Sequence, residues 1–139
     1  MNIVILNGRL IKDPGLYKLD NGSLCIIPIA VEKSISKEKK QELINKGQYT
    51  ADIFNILVYN KYGETLYDSV SKGSHILVKG YLSRHKVEKN NKIEYNTNII
   101  GKSVQFLDKV KKLEENQEIE FFEDDFEEMS PEDFGITFD

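Results

Sequence analysis

The sequence predicts a small all-β domain, five β-strands with one helix between the third and fourth, followed by a flexible acidic tail. Three features point there. Segments rich in Val, Ile and aromatic residues recur at short intervals, separated by Gly, Pro and Asn. Only residues 61–72 carry an apolar repeat of helical period over several turns. The 139-residue chain has a net charge of −4, but its charges are segregated. Residues 1–112 hold all 19 Lys and Arg and a net charge of +8, whereas residues 113–139 hold 12 acids and no base. A domain over 1–110 and a tail over 111–139 follow from that division.

The first strand is expected over Asn2–Leu10, apolar and β-branched, with Gly8 as a break. Asp13-Pro14-Gly15 reads as a turn, Pro14 fixing φ and Gly15 accepting positive φ. Asn21-Gly22 is the strongest hairpin signal in the chain and leads into a strand over Ser23–Glu32. Pro28 demotes part of that strand to an edge or a bulge. Residues 33–48 are polar and lysine-rich and read as a long loop or hairpin arm. The strand over Ala51–Tyr59 has two apolar faces. Phe54, Ile56 and Val58 are assigned to the core, while Ile53, Asn55, Leu57 and Tyr59 face out. A helix over Lys61–Lys72 repeats Tyr62, Leu66 and Val70, with Asn60 as cap and Gly73 past the end. In a strand over Ser74–Val87, Ile76, Val78, Gly80 and Leu82 face in; Lys79, Tyr81, His85 and Val87 face out. A polar turn at Lys89–Lys92 precedes the last strand, Ile93–Leu107, bent at Gly101.

Five strands with a helix between the third and fourth is the order of the OB-fold barrel, which offers one face and two loops to oligonucleotides or oligosaccharides. Other classes are disfavoured. No apolar run reaches the ~18–20 residues that span a bilayer, so no membrane association is expected. The start MNIVILNGRL has no secretory pattern, and a lone Cys25 forms no internal disulfide, which together point to a reducing cytoplasm. His75 and His85 have no partner at metal-ligand spacing, and no nucleophile–base set or phosphate loop is present. The expectation is therefore no enzyme, no catalytic residue, no metal and no cofactor.

Several spaced blocks add a resemblance. Asn2-Ile3-Val4-Ile5-Leu6-Asn7-Gly8-Arg9-Leu10 with Lys12-Asp13-Pro14 is similar to the opening of bacterial single-stranded DNA-binding proteins. Ile29-Ala30-Val31, Ala51-Asp52-Ile53-Phe54, Val58-Tyr59-Asn60-Lys61 with Glu64, Lys72-Gly73-Ser74, Val78-Lys79-Gly80 with Leu82, and Ser103-Val104-Gln105-Phe106-Leu107 resemble later blocks of that family, in the same order. The resemblance covers about residues 1–107. It implies an OB-fold core, assembly as a homo-oligomer (a tetramer), sequence-neutral binding of single-stranded DNA, and a tail that recruits replication and repair proteins. The absence of Trp and an unusual tail tip suggest a divergent, plasmid- or phage-borne member. Two rivals are an OB-fold adaptor of replication restart with secondary nucleic-acid binding, and a nuclease on a small barrel.

Sequence-neutral binding of single strands needs cations along the backbone and aromatic faces for the bases. The candidate DNA-binding residues are Arg9, Lys12, Lys33, Lys37, Lys39, Ile53, Asn55, Tyr59, Lys61, Lys79, Tyr81, Arg84, His85 and Lys86. Tyr59 matches an aromatic of the family's third strand. Ile53 matches the earlier aromatic of that strand, and Val87 one beyond the fourth. Fewer rings imply weaker stacking and more reliance on phosphate contacts, hence a steep salt dependence. The tail holds five of the seven Phe among its acids, a composition suited to a short binding motif that combines charge steering with aromatic anchors. Its candidate partner-binding residues are Phe126, Asp133, Phe134, Phe138 and Asp139. The family's tail ends in acids followed by Pro-Phe. Here Phe138 is penultimate and Pro131 is displaced.

Overall fold

The computed structural model describes residues 1–107, and the predicted tail with Phe126, Asp133, Phe134, Phe138 and Asp139 lies outside them. The described residues are mostly β. The strands are β1 (Val4–Leu10), β2 (Gly15–Leu19), β3 (Gly22–Glu32), β4 (Ala51–Tyr59), β5 (His75–Lys89) and β6 (Lys92–Phe106). Two helices join them, α1 (Lys37–Asn45) and α2 (Asn60–Ser69). The strands form one sheet in the order β1-β5-β6-β4-β3-β2, and β1 also pairs with β3. The arrangement is consistent with an OB-fold.

Gly8 does not end β1; it marks where the strand changes partner. Val4–Arg9 pair with β5, while Arg9 and Leu10 pair with β3. A Cβ at Gly8 would stand 2.6 Å from the Ala30 carbonyl oxygen, so only glycine permits this approach. Pro28 is likewise no sign of an edge strand. It is paired with β4 opposite Asn55, and on its other side β3 changes neighbour there, from β2 (through Ile26) to β1 (from Ile29).

Three further expectations are corrected. The hairpin at Asn21-Gly22 has a first strand, β2, that makes six strands rather than five; Leu19 pairs with Gly22 across a two-residue turn. The 33–48 connection contains a helix, α1. The Ser36 side chain caps it by accepting from the Lys39 N–H (3.2 Å), and Gly47, at φ 69°, closes its other end. Finally, α2 runs over Asn60–Ser69, and Tyr59 rather than Asn60 is its N-cap, without a side-chain cap bond.

The main core lies between the inner sheet face and α2. Cys25, Ile27 and Ile29 of β3 meet Ile56 and Val58 of β4, Ile76 and Val78 of β5, Ile99 of β6, and Leu66 and Val70 of α2 and its end. Phe54 packs against this cluster, as the alternation along β4 requires. Burial pushes the Cys25 thiol up to about 12, so it behaves as a small apolar group and not as a nucleophile.

α2 is also tied to the sheet by a hydroxyl. Tyr62 Oη accepts from the Val104 N–H (2.8 Å) and donates to the Val104 carbonyl (3.5 Å). β4 and β6 pair only at Ile56–Ile99 and Leu57–Ile100, so this side chain extends the contact along β6. Tyr62→Phe is expected to cost about 1 kcal/mol. A lower urea midpoint at unchanged slope is the measurement that checks it.

Candidate nucleic-acid interface

On the outer sheet face, opposed residues in neighbouring strands form rows. Tyr17, Leu24 and Tyr59 make one row across β2, β3 and β4. Ile26, Leu57, Ile100 and Tyr81 make the next, across β3, β4, β6 and β5. Leu24, Ile26, Leu57 and Ile100 are buried as a second, smaller core, with Tyr17, Leu19, Tyr59 and Tyr81 packed on it half-buried. This explains the two apolar faces of β4: Leu57 is fully buried although it points away from the main core. Three tyrosines thus rest on a rigid apolar floor, which removes much of the rotamer entropy that ordering a ring would otherwise cost.

Tyr59 and Tyr81 pack against one and the same buried cluster. Burial, and then the charge of an ionised Tyr81, push the Tyr59 phenol above its ordinary value. The Lys102 ammonium lies 5.5 Å from the Tyr81 ring centroid. Lys102 is there because of a bulge: Lys79 pairs with Ser103 and Gly80 with Gly101, leaving Lys102 as the extra residue of β6. A ring platform with a cation beside it is the arrangement that holds unpaired bases and their phosphates.

A family model described as the single-strand binding protein family matches residues 1–107. This chain belongs to that family. A "Single-stranded DNA-binding protein" of Bacillus cereus is 34% identical over 110 residues, 78% of this chain and 61% of the relative. "Single-stranded DNA-binding protein 2" of Staphylococcus aureus is 32% identical over 110 residues, 78% of this chain and 73% of the relative. The match thus spans less than two thirds of the Bacillus cereus protein's length.

In this family member the expected site residues do not all fall together. Tyr59 and Tyr81 do, and Tyr17 joins them. Tyr17 was missed in the sequence because β2 was missed; its position five residues before Gly22 of the hairpin was the available signal. Asn55 and Ile53 continue the outer face along β4, and Ile53 shares a row with Ala30 and Arg9. From Ile53 to Tyr59 this face is about 20 Å long. At its far end the Arg9 guanidinium donates to the Gly73 carbonyl (3.1 Å). Lys12 is exposed just past β1, Lys61 on the first turn of α2, and Lys79 on β5 opposite Ile5. Lys37 and Lys39 stand exposed on α1, Lys39 3.8 Å from Glu42, and Lys33 is 3.0 Å from Asp52.

Past Gly80 and Ile99, β5 and β6 pair only with each other, as a two-stranded arm. Asn2 pins its base, donating to the Leu82 carbonyl (2.7 Å) and accepting from its N–H (2.9 Å). Asn90 and Asn91 both take positive φ at the tip, as a type I′ hairpin requires. Alternation places Ser83, His85 and Val87 on the Tyr81 side, Val87 being buried there and His85 in contact with Ser83 (3.4 Å). Arg84 and Lys86 point to the opposite side of the arm, and Leu82 is exposed rather than core. Among the described residues no cluster of His, Cys, Asp or Glu is arranged to hold a metal ion, and no helix is long and apolar enough to cross a membrane.

Proposed function

We propose that this protein binds single-stranded DNA without sequence preference and acts by binding, with no chemical step. The observation that carries this reading is the tyrosine platform, Tyr17, Tyr59 and Tyr81 on one buried apolar floor with Lys102 at its edge, in a chain of this family. Bases stack on the rings, and the phosphates run past Lys102, Lys79 and Lys61, and along β4 toward Arg9. The scaffold is an OB-fold barrel, closed by the β1–β3 pairing. It forms a DNA-binding domain over 1–110, with a tail over 111–139 that recruits replication and repair proteins in the cytoplasm. The acids and phenylalanines of the tail support that role.

The protein works as a homo-oligomer, a tetramer by family resemblance. Support comes from β1: no other strand pairs with the second edge of residues 4–8 among the described residues, and beside it Ile3 and Ile5 are 52% and 60% exposed. Such an edge invites pairing with another chain.

Fluorescence anisotropy with labelled oligo-dT and a duplex of equal length tests the reading. Single strands are expected to bind far more tightly, with log affinity falling against log salt at about 0.7 per phosphate engaged. Equal affinity for the duplex overturns it.

A further inference from the structure

The arm has a second side with a composition of its own. Opposed pairs along the ladder share a face, so Leu82, Arg84, Lys86 and Glu88 of β5 lie with Thr97, Tyr95 and Ile93 of β6. All seven are exposed, Tyr95 at 58% and Ile93 at 57%, whereas the Tyr81 side carries the buried Val87 and Asn98. The Arg84 guanidinium carbon sits 4.9 Å from the Tyr95 ring centroid. Lys86 lies opposite Tyr95 in the ladder, 3.9 Å from Glu88.

We infer that this face is a second contact for the same single-stranded nucleic acid, with Tyr95 and Arg84 as its stack, so that a long strand passes around the arm and engages both sides. The inference rests on the proposed function. Three observations favour a nucleic acid over a protein partner here. An exposed ring and a planar guanidinium already stacked together present the two surfaces on which unpaired bases rest. Cations outnumber acids on the face, with Arg84 and Lys86 against Glu88. And the face is continuous with the tyrosine platform across the edge of a ribbon only two strands wide. Alternation alone explains why adjacent residues Arg84 and His85 serve two sides.

The test compares a short oligo-dT of about 8 nucleotides, within the range one such domain covers, with poly-dT, using the full chain. Tyr95→Ala is expected to leave affinity for the short oligo unchanged, to reduce the number of nucleotides occluded per protein on poly-dT, and to weaken poly-dT binding at least about fivefold, the lower end for one base–aromatic stack. Tyr95→Phe, which keeps the ring, restores both. Arg84→Gln lowers the poly-dT salt slope by roughly one contact while sparing the short oligo. Unchanged site size and poly-dT affinity in Tyr95→Ala overturn the inference. So does a lower solution mass of the DNA-free variant with poly-dT binding intact, which makes the face a protein contact. If the wild-type chain binds neither probe, the proposed function itself fails.

Discussion

Tyr59→Ala is expected to weaken oligo-dT binding by about 1–3 kcal/mol, one base–aromatic stack, while the domain stays folded. Its ring is half-buried against Leu24 and Leu57, which remain covered in part by Tyr17 and Tyr81. Tyr59→Phe should retain most of the affinity, because the stacking surface persists and only a hydroxyl is removed. Tyr81→Ala should cost a similar amount and also lower the salt slope, since Lys102 loses the ring that holds it. The two losses should not add. Both rings pack on the same buried cluster of Leu24, Ile26, Leu57 and Ile100, and residues that share partners share their energetic effects. Anisotropy titrations of both single variants and the double variant, each with a urea curve, supply the cycle. Unchanged oligo-dT affinity in Tyr59→Ala, with the fold intact, sinks the platform as the binding surface.

Gly80→Ala should be the most damaging single-methyl change among the described residues. A Cβ there would lie 1.8 Å from the Ile100 carbonyl oxygen and 2.8 Å from its carbon. Backbone is the obstacle, so no side chain can turn aside, and the bulge itself must open. The expected loss is about 3 kcal/mol or more, at or beyond the upper end for overpacking. Gly47→Ala is the control. Its Cβ meets nothing within 4 Å, and only the φ of 69° resists, at about 1–2 kcal/mol. Urea unfolding of the pair ranks the two effects, and a Gly80→Ala loss no greater than that of Gly47→Ala contradicts the tight crossing of β5 and β6. Because Tyr81 follows Gly80 and opposes Ile100, the variant should also bind single strands more weakly even where it remains folded.

Most strands were legible because burial on one face imposes a period of two, and the turns carry their own chemistry. The polar turn before Lys92 and an irregularity beside Gly101 lie where the residues place them, and the first hairpin is offset by one residue, turning at Asp20-Asn21 with Gly22 already paired in β3. What escaped detection has physical reasons. β2 is five residues long, and its inward-packing Tyr17 and Leu19 contact the outer floor rather than the main core, so it shows no simple hydrophobic alternation. α1 buries no residue and has no apolar stripe; only the spacing of Ser36 and Gly47 marked its ends. Of the site, Tyr59 and Tyr81 were readable as outward residues of two strands. That they share one floor was not, because their rows join only through Leu57 and Ile100 in the sheet. Arg84 and Lys86, named as candidates for their charge alone, lie on the side away from Tyr81, because even and odd positions along the arm face opposite ways.

β1 has a temporal consequence as well as a spatial one. Val4 pairs with Gly80, roughly 75 residues later in the chain, so at ~5–20 residues per second a nascent first strand waits roughly 4–15 s before its β5 partner is made. Pairing over such separations also makes folding slow in its own right. Throughout that interval Ile3, Ile5 and a full unpaired edge face the translation machinery and neighbouring chains. Cells producing this protein quickly should find the N-terminal segment, rather than the arm with its local hairpin, to be the portion that needs protection by chaperones.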